Sequence, residues 1–119
     1  MSERTDTNLN GRGFAYADGL WLIDKGQRRA IPTPETRNRL FVDNKNFPDE
    51  PSLGDIQRGP DINADAAMIN DGTTIYFVDN GRARGIASPA VLQKYGFHGG
   101  DRVPSTVTAS LPKGDVIAD

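Results

Sequence analysis

Residues 75–97 have the sequence IYFVDNGRARGIASPAVLQKYGF, which predicts a β-hairpin followed by a capped helix. Asn80 and Gly81 separate two strand-like runs, and Asn-Gly is the preferred pair for a two-residue type I′ turn because both positions need a positive φ. This turn sets a register in which Tyr76 faces Gly85. The pattern therefore predicts both the hairpin and its strand pairing.

The helix after this hairpin is predicted from its two ends. Ser88 is a favourable N-cap, and Pro89 is suited to the first helical position. Gly96 supplies the left-handed residue that ends many helices. Between these ends, three apolar residues fall at helical spacing: Val91, Leu92 and Tyr95.

An earlier stretch, residues 20–42, has a similar pattern, LWLIDKGQRRAIPTPETRNRLFV, at a constant offset of 55 positions. The matched pairs are Asp24 with Asp79, Gly26 with Gly81, Arg29 with Arg84, Ile31 with Ile86, Pro34 with Pro89, Gly59 with Gly114 and Ile62 with Ile117. A register kept without a gap over this length indicates an internal tandem duplication.

The predicted fold class is mostly β, of the α+β type, with two tandem β-hairpin and short-helix repeats packed as one domain. Residues 1–13 are predicted to form a flexible tail, residues 14–62 the first repeat and residues 63–119 the second. One copy alone is too small to bury much apolar surface. We therefore expect the two copies to pack on each other.

Three connecting segments carry local predictions. Asp18 and Gly19 are expected to form the turn that precedes the first hairpin. Residues 43–54 are polar and rich in turn formers, which predicts a surface loop. Residues 106–108, Thr-Val-Thr, are expected to form a short strand because these residue types favour β structure.

Composition excludes several classes of function. The formal charge is −2, which does not favour binding to nucleic acid or to an anionic membrane. There is no cysteine, so neither a disulfide framework nor thiolate chemistry is expected. His98 is the one histidine, which argues against a histidine-rich metal site. We predict no metal, no cofactor and no catalytic residues.

Export signals are not evident in this sequence. The N-terminal residues MSERTDTNLN are polar and lack the apolar core of a signal peptide. No apolar run reaches the length of a membrane span. The expectation is a cytoplasmic protein, a protein exported without a leader, or a trimmed form of a longer precursor.

The second copy resembles a bacterial tandem repeat. The shared residues are Asn80, Gly81, Arg84, Ile86, Ser88, Pro89, Tyr95, Gly96, Phe97, Leu111, Pro112, Gly114 and Ile117. The first copy departs from this pattern at Arg37 and Phe41, which replace an apolar helix residue and the stop glycine. Proteins with this repeat are often secreted or associated with the envelope and have no agreed activity. The resemblance implies a fold unit and no catalytic residues.

A weaker resemblance links residues 65–78 to the opening of a hemopexin-type propeller blade. It rests on Asp-Ala-Ala, then Asp-Gly, then Ile-Tyr-Phe-Val. Ala83 and Gly85 stand where such a blade usually carries aromatic residues. If the resemblance holds, two blades cannot close a ring. It therefore implies assembly of several chains into a homo-oligomer.

Two aromatic residues occupy equivalent positions and are candidates for ligand binding. Trp21 is expected to face Ala30, and Tyr76 to face Gly85. Small residues opposite a ring leave one ring face open, as stacking against the CH face of a sugar requires. The alternative is that both rings fill the core between the two copies.

Arg29 and Arg84 form the second candidate pair. Each is predicted to lie on the inward face of its hairpin, where a charge needs a partner. Asp24 and Asp79 point to the same face. The arginines are therefore expected either to pair with these aspartates or to bind a carboxylate or sugar hydroxyls through their planar forks.

These candidates lead to a functional prediction. We expect a non-enzymatic, lectin-like module that binds carbohydrate or a cell-surface glycan through duplicated sites at Trp21, Arg29, Tyr76 and Arg84. The alternative is a protein-interaction or assembly unit, or a component of a secreted effector or toxin, with no small-molecule site.

Overall fold

The computed structural model describes residues 4–118, and the protein is of the α+β class. The first half contains β1 (Gly13–Tyr16), β2 (Gly19–Asp24), β3 (Gln27–Ile31) and α1 (Pro34–Leu40). The second half contains β4 (Ala67–Asn70), β5 (Ile75–Asp79), β6 (Arg82–Gly85), α2 (Pro89–Tyr95), β7 (Asp101–Arg102) and α3 (Ser105–Ser110). Short 3-10 helices occupy Thr7–Leu9 and Pro51–Asp55.

The strands form two separate sheets. The first sheet has the antiparallel order β1-β2-β3. The second has the order β6-β5-β4-β7, in which β7 is parallel to β4 and the other pairs are antiparallel. Within residues 4–118 the strands close neither a propeller nor a barrel.

Both hairpins have the predicted register. Trp21 pairs with Ala30, and Tyr76 pairs with Gly85. The second turn has φ angles of 55° and 76° at Asn80 and Gly81, and Lys25 and Gly26 have nearly the same angles in the first turn, 54° and 74°. This is the left-handed backbone that a type I′ turn requires, so the strand pairing is confirmed.

The outer edge of each hairpin is covered in the same way. The Ile62 N–H donates to the Ala30 carbonyl at 2.9 Å. The Ile117 N–H donates to the Gly85 carbonyl, also at 2.9 Å. Donor and acceptor in the second bond lie 55 positions after those in the first. The segments that end each half therefore run parallel to β3 and β6 and leave neither hairpin edge open.

The main core is shared by both halves. Phe97 is at its centre, with ring centroids 5.2 Å from Phe41, 5.1 Å from Phe77 and 5.4 Å from Tyr95. The backbone also links the halves here, since the Val42 N–H donates to the Gly96 carbonyl at 2.8 Å. A second cluster packs on the other face of the first sheet: Phe14, Trp21, Ile23, Leu53 and Ile56.

Two local predictions are wrong. The first turn lies at Ala17 and Asp18, which have φ angles of 51° and 64°. It is placed there because Gly19 pairs with Tyr16 inside the sheet. The predicted strand at residues 106–108 is part of α3. Thr108 is buried and its hydroxyl donates to Asp71 at 2.8 Å, so a tertiary contact overrides the β preference of threonine and valine.

Two polar segments are more ordered than the sequence suggested. Part of the predicted surface loop forms a 3-10 helix that buries Leu53. The described part of the predicted tail packs against the first half, with the Arg4 N–H donating to the Asp55 carbonyl at 3.0 Å and the Asp6 N–H to Gly26 at 2.9 Å. Residues 1–3 of that predicted tail, and residue 119, lie outside the described residues.

The aromatic stack generates a prediction about stability. Phe97→Ala should lower the free energy of unfolding by about 3–5 kcal/mol, because it leaves a cavity beside three rings from both halves. Val107→Ala, at an exposed position, is the control and should change it by less than about 0.5 kcal/mol. Urea unfolding followed by circular dichroism measures both. Equal effects of the two substitutions would contradict the central role of Phe97.

Candidate functional site

A polar cleft of about 660 Å³ lies between the tips of the two hairpins. Both turns contribute to it, through Lys25 and Asn80. Five basic and four acidic side chains line the cleft. We call it the hairpin cleft.

Four charged residues form the floor of the hairpin cleft, and we call them the charge cluster: Asp24, Arg29, Asp79 and Arg84. Arg29 donates from Nη1 to Asp24 Oδ2 at 2.9 Å and from Nη2 to Asp79 Oδ2. Arg84 donates from Nη1 to Asp24 Oδ2 at 2.6 Å. Each arginine thus pairs with an aspartate from the other half of the chain. The two pairings that cross between the halves are equivalent, since their members are 55 positions apart.

The backbone fixes the orientation of both guanidinium groups. Arg29 Nε donates to the Pro60 carbonyl at 2.8 Å, and Arg84 Nε donates to the Asp115 carbonyl at 2.9 Å. The Asn63 N–H donates to the second oxygen of Asp79 at 2.9 Å. Because donors and acceptors are matched, these buried charges are compensated inside the protein.

The pKa of Asp24 is lowered from its ordinary value of 3.8. Burial by itself would raise the pKa. The hydrogen bond and positive charge of Arg84, together with those of Arg29, outweigh the effect of burial and favour the carboxylate. Asp24 is therefore the shared anionic acceptor between two cations.

Trp21 lies on the opposite face of β2 from the charge cluster, because side chains alternate along a strand. Its side chain is 7% exposed, and its Nε1–H donates to the Tyr16 carbonyl at 3.0 Å. The guanidinium carbons of Arg28 and Arg58 lie 4.7 and 5.1 Å from its ring centroid. The ring is thus packed in the second apolar cluster and covered by cations.

Tyr76 is half-buried on the equivalent strand, and Lys113 Nζ lies 5.8 Å from its ring centroid. Lys113 lies 55 positions after Arg58, so each half places a basic side chain on its aromatic ring. The structure therefore brings Arg29 and Arg84 together but does not bring Trp21 and Tyr76 to the same cleft.

Sequence reasoning anticipated Arg–Asp pairing but missed its crossing between the halves. It also missed the cleft rim, where exposed residues such as Arg82 lie beside half-buried Gln27. Gln27 and Arg82 are themselves 55 positions apart. The offset of 55 was a signal for this cleft. Two equivalent hairpins that share one core can bring the residues next to their turns together.

Within residues 4–118, no group of three histidine or acidic side chains is placed to hold a metal ion. No helix in this part of the chain is long and apolar enough to cross a membrane. In comparisons with known proteins, no family model, no curated protein and no solved structure matches the chain.

The charge cluster predicts a pH-dependent stability. Asp24→Asn should lower the free energy of unfolding at pH 7 by about 3–5 kcal/mol, since it leaves buried Arg84 without a carboxylate partner and leaves Arg29 with Asp79 alone. Asp115→Asn, which alters an ion pair with Lys25 whose members are largely exposed, is the matched control and should have little effect. Chemical unfolding at neutral pH compares the two variants.

The same variants should differ in acid. Asp24 has a lowered pKa in the folded state, so its contribution is present above pH 3.8 and is lost as the pH falls through the folded value. The unmodified protein should therefore lose stability over this range, and Asp24→Asn should lack that part of the loss. If the free energy of unfolding of both proteins changed equally with pH, the result would show that Asp24 is not held as the carboxylate.

Trp21 is the one tryptophan, so fluorescence measures its environment directly. Because the ring is 7% exposed, acrylamide should quench its emission several-fold less in the folded protein than in urea. A neutral quencher is needed because the neighbouring arginines would attract iodide. Similar quenching constants in the two states would place the ring in solvent and restore the open stacking platform.

Proposed function

We propose that this chain is a non-enzymatic binding module built from two copies of one hairpin-and-helix unit, and that it binds a neutral carbohydrate in the hairpin cleft. The matched hydrogen bonds along β3 and β6 support the two-copy architecture. The observation that carries the ligand class is the balance of charge in the cleft. A cleft with nearly equal numbers of basic and acidic groups has little net attraction for an anion or a cation.

The chemistry of the lining favours a hydroxyl-rich ligand. Sugar hydroxyls are both donors and acceptors, so they can bond carboxylates and guanidinium groups at once. The charge cluster is already paired internally and serves as a rigid floor. Half-buried Gln27 and exposed Arg82 lie at the rim and are available for direct contact with the ligand.

The arrangement of the cleft also suits an extended ligand. Both hairpin tips contribute equivalent positions, so an oligosaccharide with repeated residues can make similar contacts to each half. Two weak contacts on one ligand reinforce each other because the second forms at high effective concentration. In this proposal Arg29 and Arg84 position the floor of the site. Stacking of sugar on Trp21 and Tyr76 stays a separate prediction, and the quenching experiment addresses its Trp21 part.

The alternative function is a protein-interaction or assembly unit, or an effector component. A stable protein interface usually needs a buried apolar centre. Among the described residues, the large apolar side chains that are exposed are Val107 and Val116, at 41% and 61%. These two residues provide little apolar area, and the polar cleft is the better-developed feature. Size-exclusion chromatography with light scattering tests for the homo-oligomer that this alternative includes.

A glycan array followed by calorimetry tests the carbohydrate proposal. Arg82→Ala removes an exposed rim donor and should weaken binding of the best glycan by about tenfold to a hundredfold, since a hydrogen bond to a charged group contributes about 1.5–3 kcal/mol. Arg102→Ala, at an exposed site on β7 outside the cleft, should leave the affinity unchanged. Both variants should keep the unfolding midpoint of the parent protein.

Two results would overturn the proposal. One is an array without a saturable ligand, together with an unperturbed cleft in nuclear magnetic resonance (NMR) spectra recorded with oligosaccharides. The other is equal loss of affinity in Arg82→Ala and Arg102→Ala, which would place the ligand elsewhere on the surface.

A further inference from the structure

A second, smaller pocket of about 370 Å³ lies between residues 11–13, residues 42–48 and the end of α2. Its basic side chains are Arg12, Lys45 and Lys94, and its amide side chains are Asn44, Asn46 and Gln93. No acidic residue lines it. We call it the cationic pocket. This local excess of positive charge contrasts with the net charge of −2 of the whole protein.

Two glycines leave room for the Lys45 side chain, and the carbonyl of a third accepts a hydrogen bond from it. A Cβ atom on Gly96 would lie 2.9 Å from Lys45 Cδ, and one on Gly13 would lie 3.2 Å from Lys45 Cε. At the end of the chain, Nζ donates to the Gly11 carbonyl at 2.8 Å. The lysine therefore runs through a channel that larger residues would obstruct, and its ammonium group has a defined position.

The surroundings of Lys45 do not neutralise its charge. Its Nζ lies 5.4 Å from the centroid of Phe41 and 5.7 Å from that of Phe47. Burial, together with the positive charges of Arg37 and Arg12, lowers the pKa of Lys45 from 10.5 to about 8. Among residues 4–118, no carboxylate forms an ion pair with Lys45.

The flanking basic residues also lack close anionic partners in the described part of the chain. Arg12 and Lys94 are exposed, and neither forms an ion pair there. Glu50 is close enough for Arg12 to contribute to its lowered pKa, although hydrogen bonds from Ser52 are the larger cause. The positive charge in the pocket is therefore only partly compensated.

We propose that the cationic pocket is a binding site for a tetrahedral oxyanion, of the sulfate or phosphate class, with the Lys45 ammonium group as its central donor. Arg12 and Lys94 supply further positive charge at the rim, and Asn44 and Asn46 supply amide donors. The volume accommodates either the free ion or an oxyanion group attached to a small organic molecule. This site shares no lining residue with the hairpin cleft and does not depend on the carbohydrate proposal.

Protonation of Lys45 and anion binding must be linked. An anion stabilises the ammonium form, so binding raises the pKa of Lys45, and affinity falls as the pH rises through about 8. Sulfate is a suitable probe because it keeps its charge over this range. A loss of affinity in alkali then reports the protein and not the ligand.

The test is a titration of the whole chain with sodium sulfate at constant ionic strength, followed by NMR of the backbone amides and of the lysine side chains. At pH 6.5, sulfate should cause saturable chemical-shift changes around Lys45. A pH titration with sulfate present should give a higher pKa for Lys45 than one without it. At pH 9.5 the affinity should be at least tenfold weaker. Inorganic phosphate and glycerol phosphate at pH 6.5 then distinguish a free ion from an attached group, by which of the two binds more tightly.

Substitutions distinguish a specific binding site from a general attraction of anions to basic residues. Lys45→Met fills the glycine-lined channel without a charge and should weaken sulfate binding at least tenfold. Lys113→Met, a basic residue of the hairpin cleft, is the matched control and should bind sulfate normally. Because Lys45→Met could impair folding, the double variant Arg12→Gln and Lys94→Gln, at exposed positions, provides an independent loss of affinity.

Shifts that do not saturate, or that spread over all basic residues, would overturn the proposal. So would equal affinity in Lys45→Met and the parent protein, or affinity that is unchanged at pH 9.5.

Discussion

The structure depends on the pairing of four buried charges between the two hairpin tips. Arg29 and Arg84 could not be buried alone, because an unpaired guanidinium group in the interior costs several kcal/mol. Each finds an aspartate on the other hairpin, and Asp24 serves both. Docking of the halves is therefore required for burial of the charges. The apolar stack around Phe97 supplies the contact area, and the charge cluster specifies how the hairpin tips meet.

The hairpin cleft and the cationic pocket differ in chemical character. In the hairpin cleft, acidic and basic groups are present in similar numbers, and those at its floor are satisfied internally. In the cationic pocket, positive groups gather around Lys45, which is positioned by glycines and aromatic rings without a carboxylate partner. The first environment is nearly balanced in charge, whereas the second carries an excess of positive charge. A single small chain thus presents two pockets of different electrostatic character.

Local features could be predicted well where the backbone restricts the choices. The hairpin registers followed from the turn residues, and the start of α2 followed from Ser88 and Pro89. Predictions failed where tertiary contacts compete with local preference. Thr108 is helical because its hydroxyl reaches Asp71, and Leu53 is buried because residues around it pack on the second cluster. The inward position of Arg29 and Arg84 predicted their pairing with aspartates, whereas the sequence left open whether Trp21 and Tyr76 are exposed or buried.

The sequence alone determined the two hairpins and their strand pairing, both ends of α2 and the offset of 55 that relates the two halves. These features depend on neighbouring residues and on backbone angles that few residue types can adopt. Tertiary structure decided which aspartate each arginine contacts, which face of the sheet covers Trp21, and how Lys45 passes between distant glycines. Those contacts join residues far apart in the chain, and they exist only after the two halves share one core.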